Sequence, residues 1–575
     1  MRLKITESKN SKSLYVIRST YENGKHSSKI VEKLGTYAEL VEKLNGQDPI
    51  TWAKKYIAEL NELEKTGKRE VILKYSPAKR IKKDEQYSFN GGYLFLQKIY
   101  FALGLHTICE QIAKKYKFTF NLSAVLSRLL YARILFPASK LATMQIAQKF
   151  IETSEFELQH IYRSLGIIAK ESELIQAELY KNSLRIAKRN TNILYYDCTN
   201  FFFEIEQESG LKQYGLSKEH RPNPIVQLGL FMDGDGIPLA FNISEGNTNE
   251  QITMTPLEQK LLKDFELSKL IVCTDAGLAS TANRKFNDKE NRAFITTQSI
   301  KKLKKHLQQW ALSKKEWKIP GKEGIYDISK LDTDETIANA YKNVTFYKER
   351  RIRENDLEQK LVVTYSIKYR NYQREIRKAQ IERAIKLVDK NPQNISKHNQ
   401  NDFKRFISKK SITADGEMAS KNLYNIDTER IAHEELFDGY YGVCTNLEDS
   451  AQTILKLNHQ RWEIEESFRI MKTEFKARPV YLSRDDRISA HFTTCFLALT
   501  MYRFLEKKLG ARYTCREIIS GLRDMNFYKI VGEGYVPTYT RNDFTDALHE
   551  AFEFRTDYQI INSQQIKKIF KATQS

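Results

Sequence analysis

Near residue 190 the sequence switches from helical to β-like periodicity, and the order of segments beyond that point restricts the fold more than any other feature. NILYYDCTNFFFEIE (192–206) is a β-branched and aromatic run, and PIVQLGLFMDGDGIPLAFNI (224–243) reads as two strands around an Asp-Gly-Asp-Gly turn. A helix-like piece, Gln251 to Phe265, leads to LSKLIVCTDAG (267–277), a short buried strand that ends at a carboxylate and a glycine, and Ala293 to Thr297 is a further strand. Strands, helix, short parallel-type strand, helix is an α/β order. The texture returns near Phe437 with the strand-like DGYYGVCTN (438–446), one long helix over 450–475 and another over 488–505.

The rest of the chain divides around this core. Residues 1–35 suggest a hairpin, from Ser13 to Ser19 and Lys29 to Leu34, around Glu22, Asn23 and Gly24. Trp52, Tyr56, Leu60 and Leu63 form the apolar stripe of a helix that ends at Gly67. From about 92 to 188 the pattern is helical almost throughout and reads as a bundle. The expected division is 1–85, hairpin and helix; 86–188, a helical region; 189–300 with 431–510, the α/β core; 301–430, a basic insertion; and 511–575, a C-terminal region.

Charge narrows the partners. The chain carries 93 Lys/Arg against 72 Asp/Glu, a net +21, with the 41% hydrophobic content of a folded protein. Residues 301–430 hold 30 Lys/Arg and 18 Asp/Glu, so more than half the surplus lies in under a quarter of the length. Within it, residues 369–378 interleave tyrosines with Arg370, Arg374 and Arg377, as a phosphate-tracking surface would. A solvated amphipathic helix has the same pattern. No apolar stretch reaches the ~18–20 residues that span a bilayer, and no apolar segment follows Met1 to Ser13 as in a secretory signal, so a cytoplasmic protein with no membrane partner is expected. The six cysteines form no Cys-x2-Cys pair and read as core packing.

Three carboxylates stand where chemistry is possible. Asp197 follows one strand, Asp275 ends a second, and Glu465 lies on the helix after a third; strand ends of an open α/β sheet are where ligand sites form. On one continuous helix, Arg461, Glu465 and Lys472 share a face, Glu465 about 40° and Lys472 about 20° from Arg461. A carboxylate between two cations suits a metal flanked by phosphates, although an ordinary ion-pair face has the same spacing.

The run Asn458-x2-Arg461-x3-Glu465-x6-Lys472 resembles the Tyr-x2-Arg-x3-Glu-x6-Lys signature of bacterial insertion-sequence transposases with an Asp-Asp-Glu active site. Supporting pieces are YYDCT (195–199), YGLSKEHRP (214–222), GIPL with EGNTNE (236–250), TDAGLAS (274–280), FDG (437–439) and ARPVYLSRDDRISAHFTTCFLAL (477–499). Asp275 lies 78 residues beyond Asp197 and Glu465 a further 190, which fits a family that places an insertion before the Glu. Asn458 departs from the signature tyrosine, so that residue's phosphate contact needs another donor or is weaker.

The resemblance implies an RNase H-like α/β core, a mixed sheet flanked by helices and interrupted by the basic insertion. It also implies metal-dependent strand cleavage and cut-and-paste strand transfer, with two Mg2+ ions, replaceable by Mn2+, held by Asp197, Asp275 and Glu465. Arg461 and Lys472, with Asn458, would contact transposon-end DNA, and Trp462 would lie near a flipped base or pack internally. Expected partners are the terminal inverted repeats, target DNA and a second copy of the chain, near the nucleoid of a bacterial cell. The other classes are an RNase H-like nuclease without strand transfer and a non-catalytic DNA-binding relative.

Overall fold

The computed structural model describes residues 1–8, 11–22, 25–65, 70–72, 75–78, 80–267, 269–390, 402–412 and 421–575, which form two compact units. The first unit comprises Met1–Ala102, Ile134–Glu157 and Leu505–Ser575. Its N-terminal hairpin, Ser11–Glu22 with Lys25–Thr36, is joined by a third antiparallel strand, Arg2–Ser8. Asn23 and Gly24 of the expected turn, and Gly67 at the expected helix end, lie outside the described residues. The stripe from Trp52 to Leu63 falls on the helix Pro49–Lys65. A second sheet of this unit joins distant sequence: Ser88–Asn90 pairs with Asn526–Ile530, and Asn90 Nδ2 donates to the Leu522 and Arg523 carbonyls at 3.1 and 3.0 Å.

The second unit comprises Leu103–Arg133 and Leu158–Phe504. The helices expected between 92 and 188 form, but they are shared between the two units, Tyr93–Ala102 and Lys140–Ala147 belonging to the first and Leu158–Lys170 and Ser172–Ile186 to the second. Helical periodicity reveals which face is apolar and not what it packs on.

The second unit is built on a ten-stranded mixed sheet. Its strands in chain order are β1 (Ile193–Phe202), β2 (Ile225–Asp233), β3 (Pro238–Glu245), β4 (Leu270–Thr274), β5 (Arg292–Gln298), β6 (Trp317–Ile319), β7 (Lys322–Tyr326), β8 (Thr345–Glu354), β9 (Leu357–Ser366) and β10 (Tyr440–Thr445). Spatially they run β7-β6-β8-β9-β10-β5-β4-β1-β2-β3. β1, β2 and β3 form an antiparallel meander, while β4 and β5 run parallel to β1. The return from β3 to β4 passes through helix α1 (Met254–Asp264), as parallel neighbours require a crossover. Every residue of β2 is buried, which is why IVQLGLFMD is a continuous apolar run and not an alternating one. This five-strand arrangement is the RNase H-like core.

The Asp-Gly-Asp-Gly segment is a turn with a latch. Asp233 is fully buried; its carboxylate accepts from the Ile237 and Asp235 amides at 2.8 and 3.0 Å and pairs with Arg189 at 2.5 Å. Gly236 has φ +74°, a conformation glycine adopts without a Cβ penalty.

The basic segment is not a separate appendage. β6 to β9 extend the same sheet through β10, around a core of Trp317, Phe346, Leu361, Tyr365 and Tyr440. Its long helix α2 (Ile367–Lys390) covers the interleaved residues 369–378. All six cysteines are buried, and none forms a disulfide among the described residues.

One expected helix is broken. Residues 450–475 form α3 (Ala451–His459), α4 (Trp462–Arg469) and a π-helical turn, Ile470–Glu474, closed by the Phe475 N–H to Ile470 carbonyl bond at 3.0 Å. The expected helix is thus interrupted at Gln460–Arg461 and widens at 470–474, the turn that carries Lys472. Helix α5 (Asp485–Lys508) succeeds it.

Candidate active site

Register alone joins the two aspartates. In the parallel β1–β4 pair, Tyr195 lies opposite Cys273 and Tyr196 opposite Thr274. Asp197 and Asp275 are the next residues on adjacent chains, which run about 4.8 Å apart in such a pair. Asp275 is extended (φ −76°, ψ 166°), and its carboxylate accepts from the Ala276 amide to start the turn Ala276–Leu278. Tyr195, two residues before Asp197 and so on its face of β1, hydrogen-bonds the Leu457 carbonyl and Gln460 Oε1, each at 3.1 Å. That anchor fixes the break between α3 and α4 over β1, and α4 carries Glu465.

Arg461 stands among all three carboxylates. Its side chain is mostly buried, yet against that burial Asp275, then Glu465, Tyr441 and Asp197 hold its charge in place and raise its pKa. Glu465 is more than half exposed and meets Arg461 Nη2 at 3.2 Å. Among the described residues the only acidic or histidine triple with ligand atoms all within 4.8 Å is Asp546, His549 and Asp557 in the first unit, so Asp197, Asp275 and Glu465 are spread more widely than that. The Asp546–Asp557 group is already neutralised by Arg541 and Arg555.

Asp197 is desolvated among charged neighbours. Burial pushes its pKa up to about 6; Lys218, the Cys198 amide at 2.8 Å and Arg461 pull it back, and Asp275 pushes it further up. A desolvated carboxylate with a second one on the neighbouring strand offers hard oxygen donors that suit a divalent cation. The residues thus fit the metals expected of them.

Lys472 is close but reached differently. Its Nζ is 3.3 Å from Glu219 Oε1 and 5.5 Å from the Phe201 ring centroid. Burial, then the neighbouring Lys218 ammonium, lower its pKa to about 8 even with Asp197 opposing them. Lys218 itself bonds the Cys198 carbonyl and, at 3.1 Å, Glu250. Glu219 also pairs with Arg478. Residue spacing does not single out Lys218, Glu219 or Glu250; the only signal for them is their place in the YGLSKEHRP and EGNTNE segments.

Beside Glu465 opens a cleft of about 650 Å³, lined by Tyr369, Tyr441, Asn458, Arg461 and Trp462 among others. Trp462 is half-exposed there. Asn458 is buried, and its Nδ2 donates to Tyr441 Oη at 3.0 Å.

The Tyr/Arg interleaving on α2 is corrected at two of its three arginines. Arg377 is buried and grips Asp438 with both terminal nitrogens. Arg370 is buried against Asp332, the Leu331 carbonyl and the Tyr365 hydroxyl. Of the three, Arg374 alone is half-exposed, 3.6 Å from Asp438. Spacing could not show this because the partners Asp332 and Asp438 flank the helix at long sequence range.

Comparison with known proteins identifies a family. The family described as "Transposase DDE domain" matches residues 201–501, just over half of the chain. A cryo-EM structure of a piggyBac transposase synaptic complex with hairpin DNA is similar at 8% identity and TM-score 0.37, over 84% of this chain and 85% of that one. No curated protein matches. The chain belongs to the family of transposases with a DDE domain, and its resemblance to that group is thereby established. It is a transposase of nucleotidyl-transferase type, from a family that uses divalent metal ions. Among the described residues no single helix is long and apolar enough to cross a membrane.

Proposed function

We propose that this protein cuts the ends of an insertion sequence and joins them to target DNA, with Asp197, Asp275 and Glu465 as the catalytic carboxylates. The observation that carries this reading is the β1–β4 register beside α4, which aligns two carboxylates 78 residues apart next to the glutamate helix. Two Mg2+ ions, or Mn2+, bound by the three carboxylates would stabilise the entering and leaving oxygens of the displaced phosphodiester. Arg461 and Lys472 neutralise phosphates on either side of that centre, and Lys218 balances the charge of Asp197. Exposed cations of the insertion, Lys302, Lys304, Lys305, Arg350 and Arg353, track the DNA backbone in place of the arginines of α2. The helical region 86–188 is proposed to bind the terminal repeats. A closed two-fold dimer on DNA brings two ends together, in a bacterial cytoplasm beside the nucleoid.

The test is an incubation with duplexes taken from the DNA flanking this reading frame, Mg2+ and a supercoiled target plasmid. Joined products with free 3′-OH ends beforehand are expected. Cleavage without joining would favour a plain nuclease, and a mobility shift without cleavage a DNA-binding relative.

pH should limit the reaction from both sides. Below about 6 the proton on Asp197 competes with metal, so Mn2+ affinity, read by titration calorimetry, should fall about tenfold per unit. Above about 8, Lys472 loses its charge, and the alkaline limb of cleavage should vanish in Lys472→Met.

A further inference from the structure

We propose that the Tyr441 hydroxyl, oriented by Asn458 and Thr297, donates to a substrate phosphate beside Arg461, supplying the phenol that position 458 lacks. This rests on the transposase reading of the same site and adds a substrate-contacting residue to it.

Tyr441 lies on β10, between β9 and β5. Its neighbour Tyr440 is buried in the insertion's core, so alternation turns Tyr441 to the opposite face, where it lines the cleft that contains Arg461, Trp462 and Glu465. Its hydroxyl is held from two sides, by Asn458 Nδ2 at 3.0 Å and Thr297 Oγ1 at 2.7 Å. An amide nitrogen only donates, so the phenolic oxygen accepts from Asn458. Thr297 can give or take a proton. When it gives, the phenol accepts twice and its own proton is free to donate to a ligand in the cleft that Tyr441 lines.

The same geometry places a phenol within reach of position 458. An asparagine side chain plus a 3.0 Å hydrogen bond spans roughly the length of a tyrosine side chain, so Tyr441 Oη falls near the place a hydroxyl from position 458 would reach. A second observation marks the place as a ligand site. Arg461 Nε is buried and has no hydrogen-bond partner among the described residues, and Arg461 and Tyr441 line the same cleft. A buried guanidinium nitrogen without a partner is costly unless a ligand oxygen meets it. One anionic oxygen between Arg461 and Tyr441 would satisfy both donors.

The test uses the full-length protein, Mg2+ and duplex from the DNA flanking the reading frame. Tyr441→Phe removes one oxygen and keeps the ring packed edge-on against Tyr369. Its cleavage rate should fall about ten- to a hundredfold, the loss of one hydrogen bond to a charged group. Methylphosphonate substitution, scanned through the phosphates around the cut, should find one position where the wild type loses a similar factor and Tyr441→Phe loses little more. Thr297→Val should lose an intermediate factor. Wild-type cleavage by Tyr441→Phe, or independent losses at every methylphosphonate position, would overturn the proposal and leave the transposase reading standing. If the wild type cut no flanking duplex while folded, the transposase reading would fail instead. A destabilised Tyr441→Phe protein would still be decided by the methylphosphonate comparison, because that ratio is internal to each variant.

Discussion

Asp197→Asn should bind transposon-end DNA nearly as tightly as the wild type and cleave it about a thousandfold more slowly or worse. The substitution removes a ligand charge and leaves the β1–β4 register intact, since that register is made by backbone bonds. Stability separates this loss from unfolding. Burial raises the folded-state pKa of Asp197 from 3.8 to about 6, so the folded protein holds the proton more tightly than the unfolded chain does. Stability contributed by this group is therefore lost as pH rises from about 4 to 6, and the penalty is fully present at neutral pH. Asparagine carries no such charge, so the metal-free variant should melt at or above the wild-type temperature at pH 7.5 and lose that advantage near pH 4. A variant that melted lower and cleaved proportionately less would show a structural aspartate. Glu465→Gln should match the cleavage loss without a stability gain, because Glu465 is largely exposed.

The second large effect is structural. Asp438→Ala removes the carboxylate that both terminal nitrogens of the buried Arg377 bond, leaving it Glu435 at 3.7 Å, and should cost about 3–5 kcal/mol in the second unit. Denaturant unfolding monitored by tryptophan fluorescence, with Trp310 and Trp317 nearby in the insertion's core, should show an earlier transition. Removing Arg370, Arg374 and Arg377 together should act in the same way, as lost fold and not as a flattened salt dependence. By contrast, Lys302, Lys304 and Lys305 are exposed, and replacing them by Ala should reduce the slope of log affinity against log salt by up to about three units while the unfolding midpoint stays put. An unchanged midpoint for Asp438→Ala would mean that the α2 anchor contributes nothing.

Local rules made part of the molecule legible from its residues. β1 to β5, α1 and α5 can be read because a buried strand is an apolar run and a crossover helix has its own period. Asp197 and Asp275 can be read because each ends such a run. Interactions set by tertiary pairing are hidden. The break at Gln460–Arg461 and the π turn at 470–474 carry no proline or glycine signal, so periodicity describes one continuous helix where the chain forms two helices and a π turn. Arg370 and Arg377 look like free cations until Asp332 and Asp438 are brought alongside. Asp233 looks like one more strand-end carboxylate, and only the buried Arg189 marks it as a latch. The strand Ser88–Asn90 is three residues long and finds its partner more than 400 residues away.

If Asp197, Asp275 and Glu465 share metal ions despite their separation in sequence, a single bound ion should report on all three. Iron-directed cleavage tests this: Fe2+ is bound in place of Mg2+, ascorbate and peroxide are added, and backbone scission is mapped by mass spectrometry. Cuts are expected near residues 197, 275 and 465 in the same sample, suppressed together by excess Mg2+ and absent in Asp197→Asn. Cuts confined to the Asp546–Asp557 region, or an unchanged pattern in Asp197→Asn, would contradict a shared metal site.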